Sequence, residues 1–471
     1  MKIQPVSLRL RRKSHVHSSQ RGTSARYLLG WSLRFLWCEN SVGKDLGTGY
    51  NFHQMQKHPK LVFILLYAVA LLCDSVSAVE LESADKVALL FRAESLYGYS
   101  KVSEGSGDFS TSNNWLASGA FAWDEQTSII GAYNGSFEQS QIFIAQEEGG
   151  RESNQVMTHN LSLAAKRAVS DTFSIRPQIF YNWNYIKETS DEDLGNGLYD
   201  YEDFGGGLEN THILFNNDIY PLQLEYGYTL YERSYPNYTS ILLIVPGASA
   251  EEFEKDYVGH KADISVSRYI VEKLWGQVNY TFLFKRFINK REIDVNGLLL
   301  DDHRRDFFNH LEGTLLRTIT DWLSFRFRSG IQVNRSNLDY YDTNNTLTLA
   351  DDRFYEEFYD YTQYHIGPEF DFFWTGPFTE QHKTNLSIGY DFRHTQYPGR
   401  QKQDASRNLL GGDQEDDAHT LYARLTIPVN EEWSWISRAS YTDQSSNQKY
   451  ERFYRYNYEV WQLLSGLSFE Y

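Results

Sequence analysis

The last fourteen residues, Tyr458–Tyr471, read YEVWQLLSGLSFEY, and their alternation decides the fold. Trp461, Leu463, Leu467, Phe469 and Tyr471 fall on one face of an extended chain. Gln462, Gly466, Ser468 and Glu470 fall on the other. Side chains of a strand alternate between its two faces, so a period of two with one apolar and one polar side marks a strand between two environments.

The pattern recurs upstream. From residue 87 onward about sixteen segments of nine or more residues alternate in the same way. Trp115, Ala117, Gly119, Phe121 and Trp123 share a face, as do Phe173, Ile175, Ile179, Tyr181, Trp183 and Tyr185. Leu222, Leu224, Tyr226, Tyr228 and Leu230 repeat it, and so do Leu274, Val278, Tyr280, Phe282 and Phe284. Later come Leu323, Phe325, Phe327, Ile331 and Val333, then Leu386, Ile388, Tyr390 and Phe392, then Leu421, Ala423, Leu425 and Ile427.

The connections alternate short and long. Short ones lie near 124–127, 169–172, 217–221, 271–273, 318–321, 376–381 and 428–432. Long ones span roughly 101–112, 138–153, 187–200, 233–256, 288–304, 335–355, 396–417 and 443–453. Seven turns and eight loops predict an all-β, antiparallel up-and-down barrel of about sixteen strands that crosses a membrane, with both ends on the turn side. The segment around Phe204–Phe215, with three consecutive glycines, has an ambiguous face and leaves fourteen or eighteen strands open. A soluble sandwich shows shorter strands and no regular alternation of loop length.

The closing strand resembles the C-terminal strand of Gram-negative outer-membrane β-barrels, and the region 87–471 resembles their porin-like group in architecture. The resemblance implies an outer-membrane location, contact with lipid and lipopolysaccharide, and insertion by the barrel assembly machinery. Trp461, Leu467, Phe469 and Tyr471 would then belong to the assembly signal.

The amino-terminal stretch fits export. Residues 55–60 form a basic lead, 61–72 an apolar run, and Val76-Ser77-Ala78 a small-residue cleavage site, so 55–78 reads as a signal peptide. The run is too short to span a bilayer comfortably as a helix. Residues 1–54 carry Arg9, Arg11, Arg12, Lys13, Arg21, Arg26 and Arg34 with almost no acid. They read as a start assigned too far upstream, with a true basic leader as the other reading. Residues 79–86 would be a short periplasmic N-terminus, too short for a plug domain.

Both cysteines, Cys38 and Cys73, precede the expected cut, so the processed chain has no disulfide and no thiolate chemistry. It retains 34 basic against 59 acidic side chains, a formal charge near −25, which excludes nucleic acid as a natural partner. No apolar run long enough for a membrane helix follows the signal. A mean hydropathy of −0.54 still suits a barrel, because half of each strand and all loops face water. Aromatics at 16% favour interfacial girdles.

With the apolar face outward, the lumen would be lined by Arg92, Arg176, Glu312, Arg326, Arg328, Glu369, Asp371, Arg393, Arg424 and Arg438. Glu94, Glu225, Lys261, Asp263, Lys285, His310, His365 and Asp391 share that parity. Arginines concentrate in later strands and in Arg92, acids between Glu225 and Asp371, which predicts a basic wall facing a more acidic one. Paired charges serving only stability are the other reading. Acidic loop runs at 188–193, 251–256 and 413–417 lack the spacing of a calcium loop. No serine, histidine and carboxylate set has the arrangement of an outer-membrane hydrolase, and no metal or cofactor is expected.

A passive channel for small hydrophilic solutes is the function this reading favours. A pore exporting exopolysaccharide or translocating surface lipoproteins remains open, although the helical repeats that often accompany such pores are absent. Adhesion through the long loops also remains.

Overall fold

The computed structural model describes residues 86–103, 107–141, 153–187, 192–216, 219–238, 253–342, 353–379, 381–451 and 455–471. The expected leader, the signal peptide and nearly all of 79–86 lie outside them.

Eighteen strands form among the described residues. The first nine are β1 (Val87–Val102), β2 (Asp108–Ala122), β3 (Thr127–Gln141), β4 (Ser153–Ser170), β5 (Phe173–Lys187), β6 (Tyr201–Leu214), β7 (Leu222–Ser234), β8 (Tyr257–Val271) and β9 (Leu274–Ile293). The rest are β10 (Leu299–Thr320), β11 (Leu323–Ser336), β12 (Tyr340–Asp342), β13 (Arg353–Tyr355), β14 (Tyr361–Thr375), β15 (Lys383–Gln403), β16 (Leu409–Pro428), β17 (Trp433–Ser446) and β18 (Tyr458–Glu470). Sixteen of them close into one antiparallel barrel in chain order, with β11 passing directly to β14. The short β12–β13 hairpin sits in the connection between those two. The glycine-bearing segment is an ordinary barrel strand, β6, so the count is sixteen.

Closure is made by β1 and β18. Phe91 and Tyr471 exchange backbone hydrogen bonds of 3.0 and 2.8 Å, so the terminal residue is tied to the first strand. Farther along the seam Leu96 faces Gly466 and Gly98 faces Leu464. A Cβ on either glycine would stand 1.8 Å from a carbonyl oxygen of the opposite strand, Leu463 for Gly98 and Ser95 for Gly466. These glycines let the two backbones approach where the sheet must meet itself. Closure removes the free edges and satisfies the backbone of every strand.

The outer face carries large apolar side chains all round. Leu89, Phe91, Tyr228, Leu230, Val278, Leu311, Ile366, Phe370, Leu421, Trp461, Leu463 and Leu467 are all exposed. Aromatics cluster where the turns lie, including Trp123, Trp322, Trp374 and Trp433, the last 4.9 Å from Phe469. Two histidines on this face are satisfied by cross-strand tyrosines: Tyr228 Oη lies 2.6 Å from His260 Nδ1, and Tyr390 Oη 2.6 Å from His419 Nδ1.

Three expected long loops are much shorter than their polar composition suggested. Among the described residues β1 runs to Val102 and β2 begins at Asp108, and the ladders of β9 with β10 and of β15 with β16 break only at 294–298 and 404–408, because these strands run past the apolar zone as paired ribbons. Ribbons wetted on both faces need no alternation, which is why the sequence hides them. Register shifts between Leu299 and Arg305 and between Tyr397 and Gln403 mark where the ribbons leave the regular barrel.

Candidate functional site: the barrel lumen

Contacts that skip strands identify the inner face. Glu94 on β1 accepts hydrogen bonds from Arg438 on β17 and, at 2.8 Å, from Arg424 on β16. Arg328 on β11 reaches Tyr422 Oη on β16 at 3.2 Å, across β14 and β15. Strands lie about 4.8 Å apart and side chains diverge on a convex surface, so such contacts form only on the concave side. All ten residues expected to line the lumen have the parity of these residues on their strands.

The interior charges are interleaved rather than divided between two walls. Glu94 pairs with both Arg424 and Arg438, and its side chain is 5% exposed against 33% for each arginine. Arg326 pairs with Glu369 at 2.6 Å, and Glu369 also accepts from Tyr422 Oη at 2.7 Å. Arg176 pairs with Glu209 on the adjacent strand. Asp371 accepts from Ser324 at 3.3 Å and Ser387 at 2.5 Å. Arg393 lies 4.0 Å from Asp391, and Arg92 lies 3.9 Å from Glu470 with both groups exposed. Glu312 meets His365 at 3.5 Å. Trp461, Leu467, Phe469 and Tyr471 occupy the outer face, away from this network.

At the long-loop end the lumen wall changes character. Arg233 holds Asp203 with two hydrogen bonds of 2.6 and 2.8 Å, and its guanidinium lies 3.8 Å over the Tyr201 ring. Arg304 makes two bonds of 2.9 Å to Asp306 and stacks between Phe287 and Tyr359, at 4.5 and 4.3 Å. Arg400 donates to the Phe358 carbonyl at 3.0 Å and covers Tyr397 at 4.2 Å. A cavity of about 460 Å³ opens here, lined by Lys285, Arg304, Asp306, Tyr359, Tyr361 and Arg400 among others. Neither Lys285 nor Arg400 has a carboxylate within ion-pair distance among the described residues, so the cavity carries excess positive charge.

Sequence parity captured Lys285 but missed this cluster as a unit. Arg304 and Arg400 lie in stretches read as loops, and Tyr359 sits in the connection carrying β12 and β13. Tyr397 and Arg400, three residues apart, are the one local signal. Parity also missed an apolar patch on the inner face, where Leu96, Ile436 and Leu464 bury one another around Gly466. Leu464 follows Leu463 directly, and the sequence pattern gives no reason to separate them.

No family model matches the chain, and no curated protein matches it in sequence. Solved structures similar in shape include OmpT, an outer membrane protein of Vibrio cholerae, at 10% identity and a TM-score of 0.42, covering 83% of this chain and 100% of that one. A bacterial polysaccharide outer membrane secretin has 10% identity and a TM-score of 0.41, covering 81% and 97%. OpdL of Pseudomonas aeruginosa has 10% identity and a TM-score of 0.38, covering 83% and 99%.

Proposed function

We propose that the chain is a channel in the outer membrane of a Gram-negative bacterium, admitting small hydrophilic solutes by passive diffusion. One observation carries this reading. The barrel presents an apolar surface outward and a charged, hydrogen-bonding surface inward, the reverse of a water-soluble protein. Hydrocarbon suits the first surface and water the second. A sixteen-stranded barrel is also wide enough to hold an aqueous lumen.

Its lining supports weak selection by charge. Arginines paired one to one with Glu369 and Glu209 contribute little net field, whereas the second arginine at Glu94 and, at the mouth, Lys285 and Arg400 attract anions. Lipopolysaccharide and the assembly machinery are the partners this reading requires, the latter through the outward aromatics of β18.

The tyrosine-rich cavity favours a second reading, passage of saccharide chains, because aromatic rings beside guanidinium groups suit sugar rings that bear carboxylates. Single-channel recording separates the two. A diffusion channel conducts small ions steadily, and a polysaccharide pore is in addition blocked for long intervals by anionic oligosaccharides but not by neutral ones.

A further inference from the structure

His310 and Glu312 project from one face of β10 into the lumen, and His365 projects from β14. Glu312 pairs in register with Gly330 of β11, and Gly330 pairs with His365, so one glycine stands between them. A Cβ at residue 330 would lie 2.4 Å from His365 Cε1. Absence of that atom lets the imidazole lean across β11 toward β10. His365 Nε2 thereby comes 3.5 Å from Glu312 Oε2, and the His310 and His365 rings tilt toward each other with centroids 5.9 Å apart. One ligand atom from each of the three residues lies within 4.8 Å of the others.

We infer that His310, Glu312 and His365 bind a divalent transition-metal ion, zinc(II) above all, on the lumen wall. Zinc bonds to nitrogen and carboxylate oxygen are about 2.0–2.2 Å long, which puts tetrahedral ligand atoms about 3.3 Å apart. The His365–Glu312 separation already matches, and small rotations of χ bring in His310. Two imidazoles and one carboxylate suit zinc and its neighbours rather than calcium or magnesium, which take oxygen ligands. The fourth position faces the lumen and is free for water or a passing anion.

The charge consequence is direct. With neutral histidines the trio carries one negative charge, and the bound ion makes it singly positive. The neighbouring Asp391–Arg393 pair balances itself and leaves that change uncompensated. A bound ion therefore hinders cations and narrows the lumen. This last effect rests on the channel reading, whereas metal binding does not.

The test uses the untagged, detergent-extracted protein and cobalt(II) as the probe, read by its visible d–d absorption and displaced by zinc. One equivalent should bind, and His310→Ala and His365→Ala should each weaken binding by at least about 10–100-fold, the loss that even an outer-shell change produces. His260→Ala, on the outer face, should leave it unchanged. Absence of stoichiometric binding, or binding indifferent to both lumen histidines, overturns the site. Zinc should also lower cation current in wild type and not in His365→Ala. Binding by a barrel that passes no current upholds the site and defeats the channel.

Discussion

Arg424 reaches Glu94 at 2.8 Å from β16 to β1, spanning two intervening strands on the inside of the barrel. The contact joins the last quarter of the sheet to its first strand, and Arg438 on β17 completes it. Glu94→Gln should leave two guanidinium groups facing each other without a counter-charge. We expect a loss of about 2 kcal/mol in unfolding free energy, less than for a fully buried pair because both arginines keep one-third of their surface in water. Reversal potentials should shift toward anions in the same variant. An unchanged potential would show that these arginines do not face the permeation path.

The seam glycines predict a sharper effect. Gly466→Ala places a methyl group against the Ser95 carbonyl, so β1 and β18 must separate or shift register. Stability should fall by about 1–3 kcal/mol, and the folded, heat-modifiable band on electrophoresis should weaken. Gly131→Ala, with nothing within 4 Å of the new atom, should stay within about 0.5 kcal/mol of wild type. Equal behaviour of the two variants would contradict the seam.

Selectivity should depend on the mouth more than on the paired arginines. Lys285→Gln with Arg400→Gln removes two charges that have no carboxylate within ion-pair distance among the described residues, and should reduce anion preference by a factor of about 2–10 in permeability ratio. Arg326→Gln also frees Glu369 from its partner, so it should make the pore more cation-preferring and cost stability. Reversal potentials in a salt gradient compare the three.

Much of this was legible from alternation. Trp461, Leu463, Leu467 and Tyr471, and likewise Tyr226, Tyr228 and Leu230, face outward as the period of two requires. Alternation also gave the inward parity of Glu369 and Arg438. What it did not give is reach across strands. Nothing near Glu94 announces Arg424, three hundred and thirty residues away. Nothing near His310 announces His365, since their meeting depends on a missing side chain at Gly330. Leu96 and Ile436 were hidden for the opposite reason, because apolar residues on an inner face break the rule that alternation assumes.

Loop packing should respond to acid. Asp200 precedes β6 and accepts from the Ile186 and Gly197 N–H groups at 2.6 and 3.0 Å. Burial pushes its carboxyl above the usual 3.8 despite those bonds, and Asp360, before β14, is raised by burial in the same way. A raised acid holds its proton more tightly in the folded state. Its contribution is complete below pH 3.8 and is lost as pH rises through the raised folded value. Amide exchange at Ile186 and Gly197, corrected for intrinsic rates, should therefore slow as pH falls from neutral toward 3.8. Asp200→Asn should abolish that dependence, and its persistence would assign the effect to other groups.

An aqueous lumen inside a membrane barrel should carry ions. Current through single molecules of the processed protein in a planar bilayer tests it most directly. Wild type should show steady conductance, shifted toward anions in Glu94→Gln. A folded, heat-modifiable barrel that inserts and passes no current would contradict it.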